Sequence, residues 1–353
     1  MTIREHYFSA MRRQGSEYIP FEFDLCDSLK KRFKELTGEE NYWDYYGFPD
    51  RGIWLPFKLD ASRFAQYFPD KTKLYIDPIF GFGQRHGDFE HFWHMEPSLH
   101  LAEDISDFEQ YPYPSADDFD WSVLPEQVEN CIRNDKISTV GMEMTIFETA
   151  WYTRGMETFL MDMLAEPELA EYHLDRITDI RVEMTRRCAQ AGVDKIRLGD
   201  DVATQLDMMI APEVWREMLK PRLAKVIKAA KDVKPDILIH YHGDGNMYTI
   251  LNDLIEIGVD ILNPIQPECM DPFEIKKEFG DRVSFCGCVG TQTTMPFGTA
   301  DEVRELCEKL IAEVGEGGGL FIAPSHLLEP EVPWENIMAF VDTVKAHNDR
   351  VLN

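Results

Sequence analysis

The chain has 353 residues, 44% of them hydrophobic, and carries 64 Asp and Glu against 36 Lys and Arg, a formal charge of −28. That length admits one large barrel or doubly wound fold, or two ordinary domains, with enough apolar residues for a substantial core. The acidic balance excludes a nucleic-acid partner, whose phosphates need a basic patch, and disfavours docking on an anionic membrane surface.

The first residues, MTIREHYFSAMRRQG, have no apolar signal-peptide core and read as an amphipathic helix. No stretch approaches the length of a membrane span. Seven cysteines without a CxxC framework point to reduced thiols and a cytoplasmic setting. Tyr18–Leu25 and Lys73–Ile76 are the first two strand candidates. Residues 80–100, FGFGQRHGDFEHFWHMEPSLH, are aromatic and glycine-rich and predict an inserted hairpin, with Phe80–Trp93 as a candidate lid.

From residue 137 the chain keeps a regular beat. Short apolar or β-branched runs fall at Ile137–Met144, Lys195–Leu198, Ile237–His242, Asp260–Asn263, Val283–Val289 and Gly319–Ala323. Helical patterns separate them. Glu157–Leu164 and Glu168–Ala191 form one long region bent near Pro167, and Met156, Met161 and Met163 sit at core-like helical spacing. Pro212–Val233 opens with Pro at the first helical position, Asp271-Pro272 opens a shorter helix, and Asp301–Val314 and Trp334–His347 close the series.

Strands alternating with helices imply a parallel sheet, and six strands plus two make the eight of a (β/α)8 barrel. The predicted fold is α/β: one TIM-type barrel over residues 1–353, elaborated in 1–136 and regular in 137–353. A doubly wound open sheet is the alternative, but no GxGxxG turn follows the first strand.

In a barrel, chemistry gathers at the C-terminal ends of the strands. Here those ends carry Met142-Glu143-Met144, Gly199-Asp200-Asp201, HYHGDGN at 240–246, Asn263-Pro264-Ile265-Gln266, Cys286 to Gln292, and Pro324-Ser325-His326. His240 and His242 are two apart and share one side of a strand. His242, Asp244 and His326 are candidate metal ligands, since imidazole and carboxylate suit zinc; otherwise one histidine is a hydrogen-bonded core residue and Asp244 shapes the turn. Asp200 and Asp201 are candidate acids or bases through mutual repulsion, or else a turn cap and an arginine partner. With His242 and His326 they form the expected catalytic set, and Glu143, Gln205, His240, Gln266 and Gln292 are expected to bind substrate. Glu148 stands open between cavity and structure. Cys286 and Cys288 read as small buried residues, and His91 with His94 as exposed or stacking residues.

Several stretches carry a family resemblance: GVDKIRLGDDVATQ, PEVWREMLKPRL, GVDILNPIQPECMDPFEIKKEFGDRVSF, GTQTTMPFGT and APSHLLEPEVPWENI, with a weaker MRRQGSEYIPFE at 11–22. Together they resemble the uroporphyrinogen decarboxylase superfamily over roughly residues 138–345, which implies the (β/α)8 barrel independently. One branch decarboxylates a polycarboxylated porphyrinogen using arginines near an RQAGRY-like motif. Here that motif reads Arg13-Gln14-Gly15-Ser16-Glu17-Tyr18, with glutamate at the second arginine's place. The other branch comprises corrinoid-dependent methyltransferases, and the resemblance lies closer to it.

That branch implies a small O-, N- or S-methyl substrate, a corrinoid (cobalamin) cofactor on a partner protein, and in several members zinc on a His-x-Cys pair plus a cysteine after the eighth strand. Here the pair reads His242-Gly243-Asp244, and Ser325-His326 stand near the third position. Family grounds also suggest a homodimer. The alternatives are a decarboxylase of a carboxylated small molecule and a non-catalytic small-molecule-binding barrel.

Overall fold

The computed structural model describes residues 1–87 and 93–353. Its strands in chain order are β1 (Asp50–Gly52), β2 (Tyr75–Ile76), β3 (Gly83–His86), β4 (Trp93–Glu96), β5 (Ile137–Glu143), β6 (Lys195–Gly199), β7 (Leu238–His242), β8 (Ile261–Ile265), β9 (Ser284–Val289) and β10 (Leu320–Pro324). β1 and β5 to β10 form one sheet in the order β1-β5-β6-β7-β8-β9-β10, every pairing parallel. The segment 18–25 takes the remaining place beside β10, bridging Phe21 to Ile322 and Leu25 to Leu328. The fold is the predicted α/β barrel, and its six regular strands lie within a residue or two of the expected runs.

The second barrel strand is not Lys73–Ile76. Tyr75–Ile76 pairs antiparallel with β3 and belongs to a separate three-stranded sheet, β2-β3-β4. Asp50–Gly52 fills the barrel position because Asp50, Arg51 and Gly52 align with Ile137, Ser138 and Thr139 of β5. Three residues reading Asp-Arg-Gly carry no strand propensity, so pairing with a strong neighbour decides their conformation.

The predicted hairpin exists as β3 and β4. Of the candidate lid Phe80–Trp93, Phe80 and Phe82 are buried, with Arg181 over the Phe80 ring at 4.9 Å and Phe82 packed on Tyr152 at 5.1 Å, while residues 88–92 lie outside the described residues. His91 lies outside the described residues, while His94 is exposed on β4. The long helical region is two helices, Met156–Ala165 and Pro167–Gln190, meeting at Glu166 beside Pro167 as expected, and a further helix, Phe147–Arg154, precedes them across Gly155 (φ +93°). Of the three methionines there, Met163 is buried, but Met156 and Met161 are exposed, 38% and 60%, because their side of the short helix meets no neighbour. No helix among the described residues is long and apolar enough to cross a membrane.

Period-two alternation sorts the barrel wall. Ile239 and Tyr241 pack with the main core, while Leu238 joins a cluster under the barrel with Ile137, Ile261 and Phe321. Helix Ile3–Met11 stoppers this lower end: Tyr7, Ala10 and Met11 join that cluster, and Ala10 O accepts from Gly319 N at 2.9 Å. Above the stopper the inward residues become charged. Lys195 is fully buried and pairs with Asp50, with Tyr7 OH at 3.1 Å from its ammonium. Arg197 lies one step higher, 2.9 Å from Glu143 and 3.7 Å from Glu22.

Candidate metal and substrate site

Above that charged layer a cavity of ≈ 400 Å³ opens between the C-terminal ends of the strands. Its wall includes Glu22, Glu143, Glu148, Asp201, His242 and His326. His242 ends β7 on the same inward side as His240. His242 Nδ1 donates to Asn263 Oδ1 at 2.7 Å, which fixes the tautomer and leaves the Nε2 lone pair free. Nε2 lies 3.9 Å from Asp201 Oδ1 and 4.0 Å from Asp244 Oδ1.

The turn that carries Asp244 is tied down at every residue. Gly243 N donates to Asn263 O at 2.8 Å, Asp244 N to Asp201 Oδ1 at 2.8 Å, and Gly245 N to Gln266 Oε1 at 3.1 Å. Gly245 has φ +89°, and a Cβ there would stand 2.4 Å from Thr204 O, so only glycine fits. The HYHGDGN run is therefore a strand end plus a rigid ligand-presenting turn.

Asp201, His242 and Asp244 offer one ligand atom each, all within 4.8 Å of one another. Burial pushes the Asp244 carboxyl up, opposed by His242 and raised further by Asp201, while His326 holds it down. Such a set fits a divalent cation, which would neutralise two converging carboxylates and bind the free Nε2. Of the expected ligands, His242 and Asp244 converge and His326 lines the same cavity, but the third member of the cluster is Asp201.

Adjacent aspartates have divided roles. The Asp200 carboxylate accepts from Ile146 N at 3.0 Å and Glu148 N at 2.9 Å, capping the helix Phe147–Arg154 rather than lining the cavity. Burial pushes it up to about 7 against the pull of these amides and of Arg181. Arg181 in turn donates to Thr145 O and Met144 O, both at 3.0 Å, holding Met144 at φ +57°, a conformation a side chain rarely adopts.

Glu148 belongs to the cavity. Its Oε2 accepts from Asp201 N at 3.1 Å and its Oε1 from Tyr152 OH at 3.3 Å. Burial, then Asp201 and Asp200, push its carboxyl up to about 9.

Among the expected substrate residues only Glu143 lines the cavity. Gln205 Nε2 donates to Gln292 Oε1 at 2.9 Å, so these two meet each other on the exposed rim. Gln266 is buried and braces the Asp244 turn. His240 is fully buried below the cavity, held neutral by burial and by Arg197 and Lys195. Cys286 reaches the cavity wall, but burial pushes its thiol up to about 12, and Cys288 is fully buried.

The site also includes residues beyond the expected set, among them Asn263, which orients His242, and Glu22 and Arg197, which line the cavity. Glu22 had a legible signal: in Phe21-Glu22-Phe23-Asp24 the aromatic and acidic residues alternate, as a barrel strand with a polar inside requires.

Residues 97–347 match the uroporphyrinogen decarboxylase (URO-D) family. Curated relatives include a methylcobamide:CoM methyltransferase, MtaA, of Methanosarcina barkeri, 28% identical over 187 residues covering 53% of this chain and 52% of that one. A uroporphyrinogen decarboxylase of Chlorobium phaeobacteroides is 28% identical over 212 residues, 58% of each chain. The aligned part thus spans little more than half the length of these relatives. A methyltransferase from Methanosarcina mazei superposes over 100% of both chains with a TM-score of 0.69 at 19% identity, a likeness of fold. Since the matched residues make up well over half of the chain and carry the barrel strands β5 to β10, this protein belongs to the URO-D family.

Proposed function

We propose that this protein is a methyltransferase that moves a methyl group between a small methylated substrate and a corrinoid carried by a partner protein, with zinc or a similar divalent cation held by Asp201, His242 and Asp244. The observation that carries this reading is the convergence of those three side chains within 4.8 Å of one another, Asp201 and His242 among them lining the cavity, with His242 oriented by Asn263. When bound, the metal supplies Lewis acidity toward the heteroatom that bears the methyl group.

The protein's own residues do the rest. Removing a methyl group from oxygen or nitrogen leaves electron density that needs a proton. Glu148 keeps its proton up to about 9 and lines the cavity beside Asp201, so it is the proton donor. His326 stands on the same wall as a further polar contact. The open mouth above the strands is the side from which a corrinoid protein reaches the substrate.

A decarboxylase of a polyanion is the weaker reading. Arg12 Nη2 lies 3.2 Å from Asp236, and Arg13 Nη1 donates to Ser284 at 2.8 Å, both at the N-terminal ends of strands, opposite the mouth. Neither arginine lines the cavity.

The test is metal content of the purified chain beside His242→Ala, followed by demethylation assays with cob(I)alamin. About one zinc per chain, lost in the variant, is expected. Metal-free protein that stays so after zinc addition and ignores methylcobalamin sinks the reading in favour of a binding barrel.

A further inference from the structure

The ligand atoms that converge at the candidate metal site include no sulfur. Among the described residues they are one carboxylate oxygen each from Asp201 and Asp244 and one imidazole nitrogen from His242. The backbone ties the two carboxylates together, since Asp244 N donates to Asp201 Oδ1 at 2.8 Å, and Gly245 N beside it donates to Gln266 Oε1 at 3.1 Å. A divalent cation there meets two negative charges that cancel its own and one neutral ring. Asp201 and His242 line the cavity, so the cation also has an open side for water or substrate.

The neighbouring thiols are poorly prepared to join. A thiol binds a metal as its thiolate, and burial in apolar surroundings disfavours that form. Cys286 reaches the cavity wall, but it is 1% exposed and burial pushes its thiol up to about 12. Cys288 is fully buried. Cys269, half-buried in the loop after β8, is pushed up by burial, then by Glu268 and Asp244. A cation beside Asp244 would reverse part of that field, which makes Cys269 the thiol to test. Donor chemistry then decides selectivity. Carboxylate and imidazole are hard to intermediate donors that accept ions from manganese(II) to zinc in the Irving–Williams order, whereas thiolates select soft ions.

We propose that Asp201, His242 and Asp244 form a thiol-independent cation site, whose occupancy follows the supply of manganese(II), iron(II), cobalt(II) or zinc and not the redox state of the protein's cysteines. This rests on the metal reading of the site above and names what regulates it.

The test loads the full chain with cobalt(II) and reads its absorption spectrum, then ranks zinc, manganese(II) and cadmium by competition calorimetry. Wild-type protein is expected to show only weak visible bands, with no sulfur-to-cobalt charge-transfer band in the near ultraviolet. Zinc should bind tighter than manganese, and cadmium no tighter than zinc. Asp244→Asn should weaken zinc at least about 100-fold, whereas Cys269→Ser and Cys286→Ser should each change it less than about threefold, below what even an orienting neighbour contributes. Asp244→Cys is the positive control, and should introduce the charge-transfer band and turn the preference toward cadmium. Zinc-loaded wild type should keep its metal through treatment with peroxide or N-ethylmaleimide.

The wild-type spectrum and metal ranking need no variant, so they test the proposal even where a variant folds poorly. A charge-transfer band in wild type, cadmium bound tighter than zinc, or metal lost on thiol alkylation overturns it. So does a folded Asp244→Asn that keeps its zinc affinity, or a chain that binds none of these ions. Thiol-independent binding without demethylation by cob(I)alamin supports this inference and defeats the methyltransferase reading. Demethylation that depends on a cysteine-bound metal does the reverse.

Discussion

Asn263→Ala isolates the contribution of one hydrogen bond to the candidate metal site. Asn263 is 6% exposed, and its Oδ1 accepts from His242 Nδ1 at 2.7 Å. Its main-chain oxygen, which binds Gly243 N, survives the substitution. The side-chain loss has two effects that separate experimentally. Leaving the His242 N–H without a buried partner costs about 1–3 kcal/mol of stability. With an unfolding entropy of about 2.1 cal/mol/K per residue over 353 residues, that lowers Tm by about 1–4 °C, so the variant stays folded.

Freeing the ring to rotate should weaken zinc binding about 10–100-fold, the usual effect of losing such an orienting partner. Asn263→Asp keeps the acceptor and raises ring basicity, so it should hold affinity within about threefold of wild type. Competition against a chromophoric chelator measures affinity, and circular dichroism checks the fold. The reasoning is refuted if Asn263→Ala binds zinc like wild type, or if Asn263→Asp is as weak as the alanine variant.

Other expectations follow from the same geometry. Glu148 has a folded pKa raised to about 9. Its favourable neutral state is thus fully present below the unfolded value near 4.5 and is lost as pH rises through about 9. The urea midpoint of wild type should fall between pH 5.5 and pH 9, and Glu148→Gln should flatten that fall; parallel curves for the two proteins would contradict the assignment. Lys195→Met strands Asp50 in the barrel and should destabilise by about 3–5 kcal/mol, measured by urea titration, with Lys195→Met/Asp50→Leu recovering part of the loss. Gly245→Ala, at φ +89°, should cost at least about 1–2 kcal/mol. It should also lower zinc affinity by displacing Asp244, a loss the same chelator competition detects.

The parts of this site that sequence could reveal are those governed by period and propensity. Ile237 to His242 is a β-rich run, so its alternation places His240 and His242 on one inward side before any coordinates exist. The structure then separates them by depth, which alternation does not encode: His240 is sealed beside Lys195 and Arg197, and His242 reaches the mouth. Asp200 and Asp201 are chemically equal in sequence. What divides them is the start of a helix more than fifty residues earlier, whose free amides at Ile146 and Glu148 claim the first and leave the second for the cavity. Asp50–Gly52 was illegible for the same reason, since its strand character is supplied by β5. Long-range partners, not local chemistry, decided each of these cases.

The N-terminal stopper has a kinetic consequence. Among the described residues Tyr7, Ala10 and Met11 pack against the lower end, and the cavity opens at the C-terminal ends of the strands. On the proposed reading, a small reactant and a corrinoid protein then share that doorway. The small molecule has to load first, because a protein seated over the strand ends bars its path, and the demethylated remnant leaves only after that protein withdraws. Steady-state kinetics on the assembled system should accordingly follow a compulsory order, with excess large partner inhibiting competitively against the small reactant.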